Sequence, residues 1–258
     1  MPHRELKNKP LVEAILEVKW ALESRAPGIA EDPHYKLLLG RLSDRVREDY
    51  PEPERLATAG IPDELVGHVV QYRFRTAPGQ WPLIQVGPGI LTVNETEAYV
   101  WDDFCERARN AMGKLFDAHP KRSELKIENL SLRYIDAVEF DYSSDDAFRF
   151  LKEQLKIDIR LPRKLFDGTT VEDRPKTFSW QSSFLCQAPA GTVHLRCASG
   201  QANGKPAVMM ETTVNSAEED LPSLPHEFKS WIDSAHEITH EWFFTLIEGD
   251  LERRFNGE

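Results

Sequence analysis

From residue 11 to residue 20 the chain reads LVEAILEVKW, with Val12, Ala14, Leu16, Val18 and Trp20 alternating against Glu13, Glu17 and Lys19. A period of two puts those apolar side chains on one face of a pleated strand, so the segment predicts a half-buried strand. From Asp32 the period changes. DPHYKLLLGRLSDRVREDY carries Tyr35, Leu38, Leu39, Leu42 and Val46 at helical spacing, after a capping Asp and a Pro whose φ suits a first turn, and it stops before Pro51. HVVQYRFR, PLIQVG and ILTVN follow as three strand-like runs separated by Pro and Gly, and YVWDDFCERARNAMGKLFDAH reads as a helix ending at Pro120. IENLSLRYIDAVEFDY, residues 127–142, is apolar on both faces in its middle, as a central strand is.

The order then recurs. DDAFRFLKEQL (145–155) predicts a helix, and LPRKLFDGTTVEDRP a connection. FSWQSSFLCQ, TVHLRC and AVMMETTVN predict three strands, with GQANGKP as a hairpin turn between the last two. A long helix begins near Pro225. Each half is thus β-α-β-β-β-α, and residues match as well as elements. VEAI (12–15) resembles IDAV (135–138), which pairs Glu13 with Asp136; QYRF (71–74) resembles QSSF (181–184); and TVNETE (92–97) resembles TVNSAE (213–218). The expected fold is α+β, a tandem duplication over 1–122 and 123–258 fused into one domain. Its mainly antiparallel, curved sheet carries helices on one side and leaves a broad bare face for a ligand or partner. A saddle of this kind is similar to the duplicated fold of TATA-binding proteins, an analogy that says nothing of function.

Composition narrows the classes. A net charge of -11 and a pI near 5.3 repel phosphate backbones, which disfavours nucleic acid despite local basic clusters at Lys121 and Arg122 and at Arg160, Arg163 and Lys164. No apolar run approaches the roughly 20 residues of a membrane-spanning helix, and no secretory signal is read at the start, so a cytoplasmic protein is expected. Cys105, Cys186 and Cys197 are widely spaced and lack CxxC spacing, which reads as reduced thiols.

The last helix contains HEITH, residues 236–240. Histidines at i and i+4 lie on one side of a helix, so His236 and His240 could hold zinc with Glu237 as base. Two features oppose this zinc-hydrolase alternative. A third ligand is wanting unless the helix breaks near Gly249 or Cys186 and His194 meet across a hairpin closing around Ala190. Phe228, Trp231, Ala235, Trp242 and Leu246 also form the predicted core stripe, which leaves the histidines on its flank and Glu237 toward water. The expectation is a packing helix with His236 bonded to backbone and His240 at a rim, no metal and no cofactor.

Asn94 with Glu97, and Asn215 with Glu218, have capping-box spacing and predict structural caps. Asp136 shares a strand face with Leu132, Tyr134, Val138 and Phe140, and a carboxylate buried there is expected to pair with a cation on a helix, Arg133 pointing the other way. Arg133, Tyr134, Asp136, His236 and Glu13 are the candidate binding residues. There is no GxSxG, and Lys205 is followed by Pro206 where a Walker loop needs Ser or Thr.

KPLVEAILEVKW, GPGILTVN, LSLRYIDAVEF and SAHEITHEWFFTLIEGDLERRF together resemble a sporadically distributed family of uncharacterised bacterial proteins of about this length. The resemblance covers nearly the whole chain except 160–175, and it implies that His236 matches the family's helix histidine while His240 falls where other polar residues, often Asn, stand. It also implies an association with mobile or defence genes. The function expected is a non-enzymatic binding or regulatory protein, self-associating as a dimer or bound to a protein partner through the sheet face and long connections. The alternatives are the zinc hydrolase and a nucleic-acid binder working through the basic loops.

Overall fold

The structure, a computed structural model, describes residues 4–96 and 98–258. Eleven strands are present: β1 Leu11–Trp20, β2 Glu23–Ala26, β3 Ile29–Glu31, β4 Glu52–Arg55, β5 Tyr72–Arg75, β6 Leu83–Gly87, β7 Ile90–Glu95, β8 Ile127–Glu139, β9 Ser179–Gln187, β10 Ala190–Ala202 and β11 Lys205–Ala217. The helices are α1 Tyr35–Val46, α2 Trp101–Ala118, α3 Ala147–Leu155, α4 Phe228–Ile247 and α5 Asp250–Asn256. Nine strands form one antiparallel sheet in the order β4-β5-β6-β7-β1-β8-β11-β10-β9, and β2 and β3 form a separate ribbon. The fold is α+β, and no helix among the described residues is long and apolar enough to cross a membrane.

The duplicated topology is visible in a single row of side chains. Phe74 pairs with Ile84, Ile84 with Val93, and Val93 with Leu16. On the other side Phe184 pairs with Val193, Val193 with Val214, and Val214 with Leu132. Leu16 and Leu132 pair with each other. The row is palindromic: Val93 and Val214 belong to the matching TVN segments, and Phe74 and Phe184, two ladders away, belong to QYRF and QSSF. A pseudo-twofold axis therefore passes between Leu16 and Leu132. Even the irregularities obey it. The β1–β8 register slips between Lys19 and Trp20, giving Trp20↔Ile127, and between Leu11 and Glu13, giving Leu11↔Asp136, two pairs the axis exchanges.

This register corrects one expected match. Leu16 is equivalent to Leu132, so the counterpart of Asp136 is Trp20, and Glu13 corresponds to Asn129. A shift by an odd number of residues moves a side chain to the other face. Glu13 accordingly lies on the bare face, where its carboxylate accepts from Asn94 Nδ2 at 2.7 Å, whereas Asp136 faces the helices.

All helices cover one face. Ala14, Leu16, Val18 and Trp20 of β1 meet Leu38 and Leu42 of α1 and Phe104, Ala108, Met112 and Leu115 of α2 in one cluster, which continues to Phe228, Trp231 and Ile232 of α4. Leu39 is only half-buried. A second cluster joins Val138, Leu195, Cys197, Val208 and Met210 to Leu151 of α3, Phe244 and Ile247 of α4, and Leu251 and Phe255 of α5. On α4 the buried stripe runs through Ile232, Thr239, Phe244 and Ile247, and Trp242 and Leu246 are half-buried. Phe228, Trp231 and Ala235 are buried as expected, but the stripe then turns toward the second cluster, so Trp242 and Leu246 fall at its edge.

Local chemistry explains the ends. Asp146 caps α3 by accepting from the Phe148 and Arg149 amides, and the helix closes on Lys156 in the left-handed region. Asp32 accepts from the His34 amide just ahead of α1, and its other carboxylate oxygen takes the Trp20 indole N–H at 2.8 Å. The β10–β11 hairpin turns on Asn203 and Gly204, both at positive φ, as a two-residue turn requires. Gly249, at φ 109, breaks α4 from α5. The expected caps are different. Asn94 is buried within β7, Asn215 lies within β11 and accepts from Asn129 Nδ2, and Glu218 opens a short 3-10 turn. Neither asparagine stands at a helix start, because each strand continues past it; Glu97 lies outside the described residues.

Candidate functional site

The axis that makes the halves alike also shows where they differ. At the end of β1, Trp20 fills the space beneath the helices and is tied to Asp32. At the equivalent place in β8 stands Asp136, a far smaller side chain, and beside it is a cavity of about 110 Å³. Its floor is Tyr134 and Asp136 of β8, Thr212 of β11, and Pro10 and Leu11 at the start of β1. Its walls are Tyr99 and Trp101 at the start of α2, and His236, Thr239, His240, Phe243 and Phe244 of α4. Arg4, Glu5, Leu6 and Lys9 of the N-terminal segment complete it.

That segment is held in place. The Asn8 amide donates to the Phe255 carbonyl at 2.8 Å, and Leu6 is buried in the second core cluster. Arg4 pairs with Glu252 at 3.1 Å and lies over the Phe244 ring, while its carbonyl is 3.2 Å from His240 Nε2. Lys9 donates to the Tyr99 carbonyl at 2.6 Å. Of these residues Arg4 and Glu5 are exposed, which sets the outer rim.

The wall is a connected polar chain on an aromatic frame. The Tyr134 hydroxyl lies 2.7 Å from the Tyr99 hydroxyl and 3.0 Å from His236 Nδ1. His236 is 5 % exposed and stacks on Trp101 with centroids 3.7 Å apart and planes within 8°. Burial raises the pKa of both tyrosines, so they remain neutral hydroxyls. Where a bond from His236 to backbone is expected, its Nδ1 meets the Tyr134 hydroxyl, which β8 brings up under α4.

Asp136, on the floor, stands outside this chain of hydrogen bonds. It is 6 % exposed, and among the described residues no hydrogen bond or ion pair reaches its carboxyl group. The helix-borne cation expected to pair with it is not there. Arg4 is engaged by Glu252 and Lys9 by the Tyr99 carbonyl, and Arg133 projects from the opposite face, 3.8 Å from Glu211. Burial without compensation pushes the Asp136 pKa from 3.8 up to about 7.

Of the candidate binding residues, the fold therefore brings Tyr134, Asp136 and His236 to one cavity and leaves Glu13 and Arg133 on the bare face. That face is cross-linked by its own polar pairs: Glu211 lies 3.8 Å from Arg133 and 3.7 Å from Arg196, and Glu54 holds Arg75 at 2.8 Å. Among the basic clusters, Lys121 pairs with Glu124, Arg122 with Asp117 and Arg160 with Asp158.

The rings of His236 and His240 are 5.5 Å apart, and Glu237 is exposed. Cys186 and His194 do not meet: the β9–β10 turn falls at Ala188 and Pro189, so Cys186 pairs with Gly191 and faces the helices while His194 pairs with Ser183 on the bare face. Among the described residues no three His, Cys, Asp or Glu side chains are grouped to hold a metal. Tyr99, Trp101, Thr212 and Lys9 were not singled out from the sequence, because nothing in their local pattern marks them as meeting β8.

No protein-family model and no curated protein matches the chain. Among solved structures, Methanococcus jannaschii TBP is similar at 12% identity over 88% of this chain and 97% of that one, with a TM-score of 0.25, a likeness too weak to carry an argument.

Proposed function

We propose that this chain is a non-enzymatic binding protein that takes a small organic cation, a protonated amine or guanidine, against Asp136 in the helix-side cavity. One observation carries this reading: a buried carboxyl with no partner of its own stands at the floor of an aromatic-walled cavity. An ionised carboxylate there is costly until a cation or strong donor meets it. Tyr99, Trp101, Tyr134 and Phe244 line the cavity, and although His236 stacks on one face of Trp101 and Arg4 lies over Phe244, an aromatic lining of this kind favours a cation. Acid-base chemistry is not supported, because the Tyr134 hydroxyl and His236 are bonded to each other and neither reaches Asp136. Arg4 and Lys9 sit near the rim with their charge engaged, where they favour a ligand whose outer end is neutral or anionic.

Calorimetric titration with butylguanidine and with butylamine, each a single cation with a neutral tail, tests this. A cation binds the ionised form of Asp136, so affinity should rise about tenfold per pH unit up to about 7 and level off above it. Binding should release a proton below that pH and disappear in Asp136→Asn. Absence of binding at about pH 8, or binding indifferent to Asp136→Asn, overturns the proposal.

A further inference from the structure

The two edges of the nine-stranded sheet are unlike. One is β4, four residues reading EPER, with two carboxylates, a proline and an arginine. Short, charged, proline-bearing edges resist the addition of another strand. The other is β9, nine residues reading SWQSSFLCQ, without a charge or a proline. Its inner edge pairs with β10 along its whole length, from Ser179↔Ala198 to Gln187↔Ala190. Among the described residues no backbone hydrogen bond reaches its outer edge. Trp180 and Cys186 pack on the core, but an exposed apolar side chain stands on each face: Leu185 is 92% exposed, and Phe184, packed edge-on against Trp242 at 5.5 Å, is 48% exposed.

We infer that β9 is a homodimerisation edge, on which a second copy of this chain docks its own β9 antiparallel across a twofold axis. Such an interface is isologous: it sets the strand against itself, so any charge on it lies close to its own copy. A strand of serines, glutamines, aromatic and aliphatic residues is self-complementary in this sense, and β4, rich in carboxylates, is not. Nothing on β9 offers a charge to select an acidic or basic peptide, which is why the occupant is the same strand. The chain already joins β1 to β8 across its internal pseudo-twofold axis in the same antiparallel manner. Pairing through β9 would bring Phe184 and Trp242 of both copies to the helix side of the seam and Leu185 of both to the bare side.

The net charge of -11 on each copy opposes association, so the dimer should strengthen with added salt as that repulsion is screened. Sedimentation velocity on the full chain at rising concentration tests this, beside the variant Leu185→Lys. Because Leu185 is exposed, the variant should keep its circular dichroism and melting temperature, and because it lowers the net negative charge, weaker pairing cannot come from general repulsion. The expected result is a concentration-dependent dimer with β9 amides protected from hydrogen exchange, weakened about tenfold or more by Leu185→Lys. A protein monomeric at every concentration overturns the inference and leaves the edge to a foreign strand. A dimer indifferent to Leu185→Lys, with β9 amides exchanging freely, overturns it in favour of another surface.

Discussion

Replacing Asp136 by Asn should make the protein more stable above neutral pH. Asn keeps the shape of the protonated side chain and cannot ionise. In the native state burial holds the Asp136 pKa at about 7 against an ordinary 3.8, so the folded protein binds this proton more tightly than the unfolded chain does. The stabilisation from that proton is complete below pH 4 and is lost as pH rises through about 7. Each pH unit is worth about 1.4 kcal/mol, and a displacement of about three units amounts to roughly 4 kcal/mol; water entering the cavity and local relaxation reduce this to about 2–4 kcal/mol. Urea unfolding of both proteins at about pH 5 and about pH 8 reads it out. The unfolded carboxyl is already largely ionised at the lower pH, so the variant should lead by about a third of that amount there and by the full amount at the higher pH. Other groups titrate as well, including His119, whose pKa burial lowers, but they are common to both proteins and cancel in the difference. Parallel pH profiles, or a variant less stable at the higher pH, would refute the reasoning.

Further outcomes follow from other parts of the molecule. Glu95 is buried, burial raises its pKa, and Arg107 holds it at 2.6 Å; Arg107→Ala should cost about 3 kcal/mol in urea unfolding, and adding Glu95→Gln should recover most of it. Trp20→Phe removes the indole N–H that Asp32 accepts, leaving that oxygen only the Gly89 amide, and should cost roughly 2–4 kcal/mol, counting lost volume and one lost hydrogen bond. A chelator should leave the melting temperature unchanged, and stoichiometric zinc that disappears in His236→Ala would instead restore the hydrolase reading. Cys186, half-buried on the edge strand, should react with a thiol reagent well before Cys197, whose pKa burial pushes up to about 12.

Much of the fold could be read along the chain because its cues are local. The strand expected over 11–20 is β1, and the expected helices overlap α1 to α4. The β2–β3 ribbon and β4 escaped, since ESRA and EPER are short, polar and without period. The duplication was legible in TVN and in QYRF against QSSF, and the ladders between them place those matches on equivalent residues. VEAI against IDAV failed because four residues of similar chemistry recur by chance, and only the β1–β8 register separates true from fortuitous alignment. Asp136 is legible as a carboxylate on the apolar strand face it shares with Tyr134, and His236 through the HEITH spacing. Their convergence on Trp101 and Tyr99 depends on how α2 and α4 cross the sheet, which no local spacing encodes.

The most direct measurement is a titration of the Asp136 side-chain carboxyl by carbon-13 NMR, with and without butylguanidine. A midpoint near 7 in the free protein, moving well below that when butylguanidine is present, is the result predicted for an unpartnered carboxyl that meets its counterion in the ligand. A midpoint near the ordinary 3.8, or one that butylguanidine leaves in place, would contradict it.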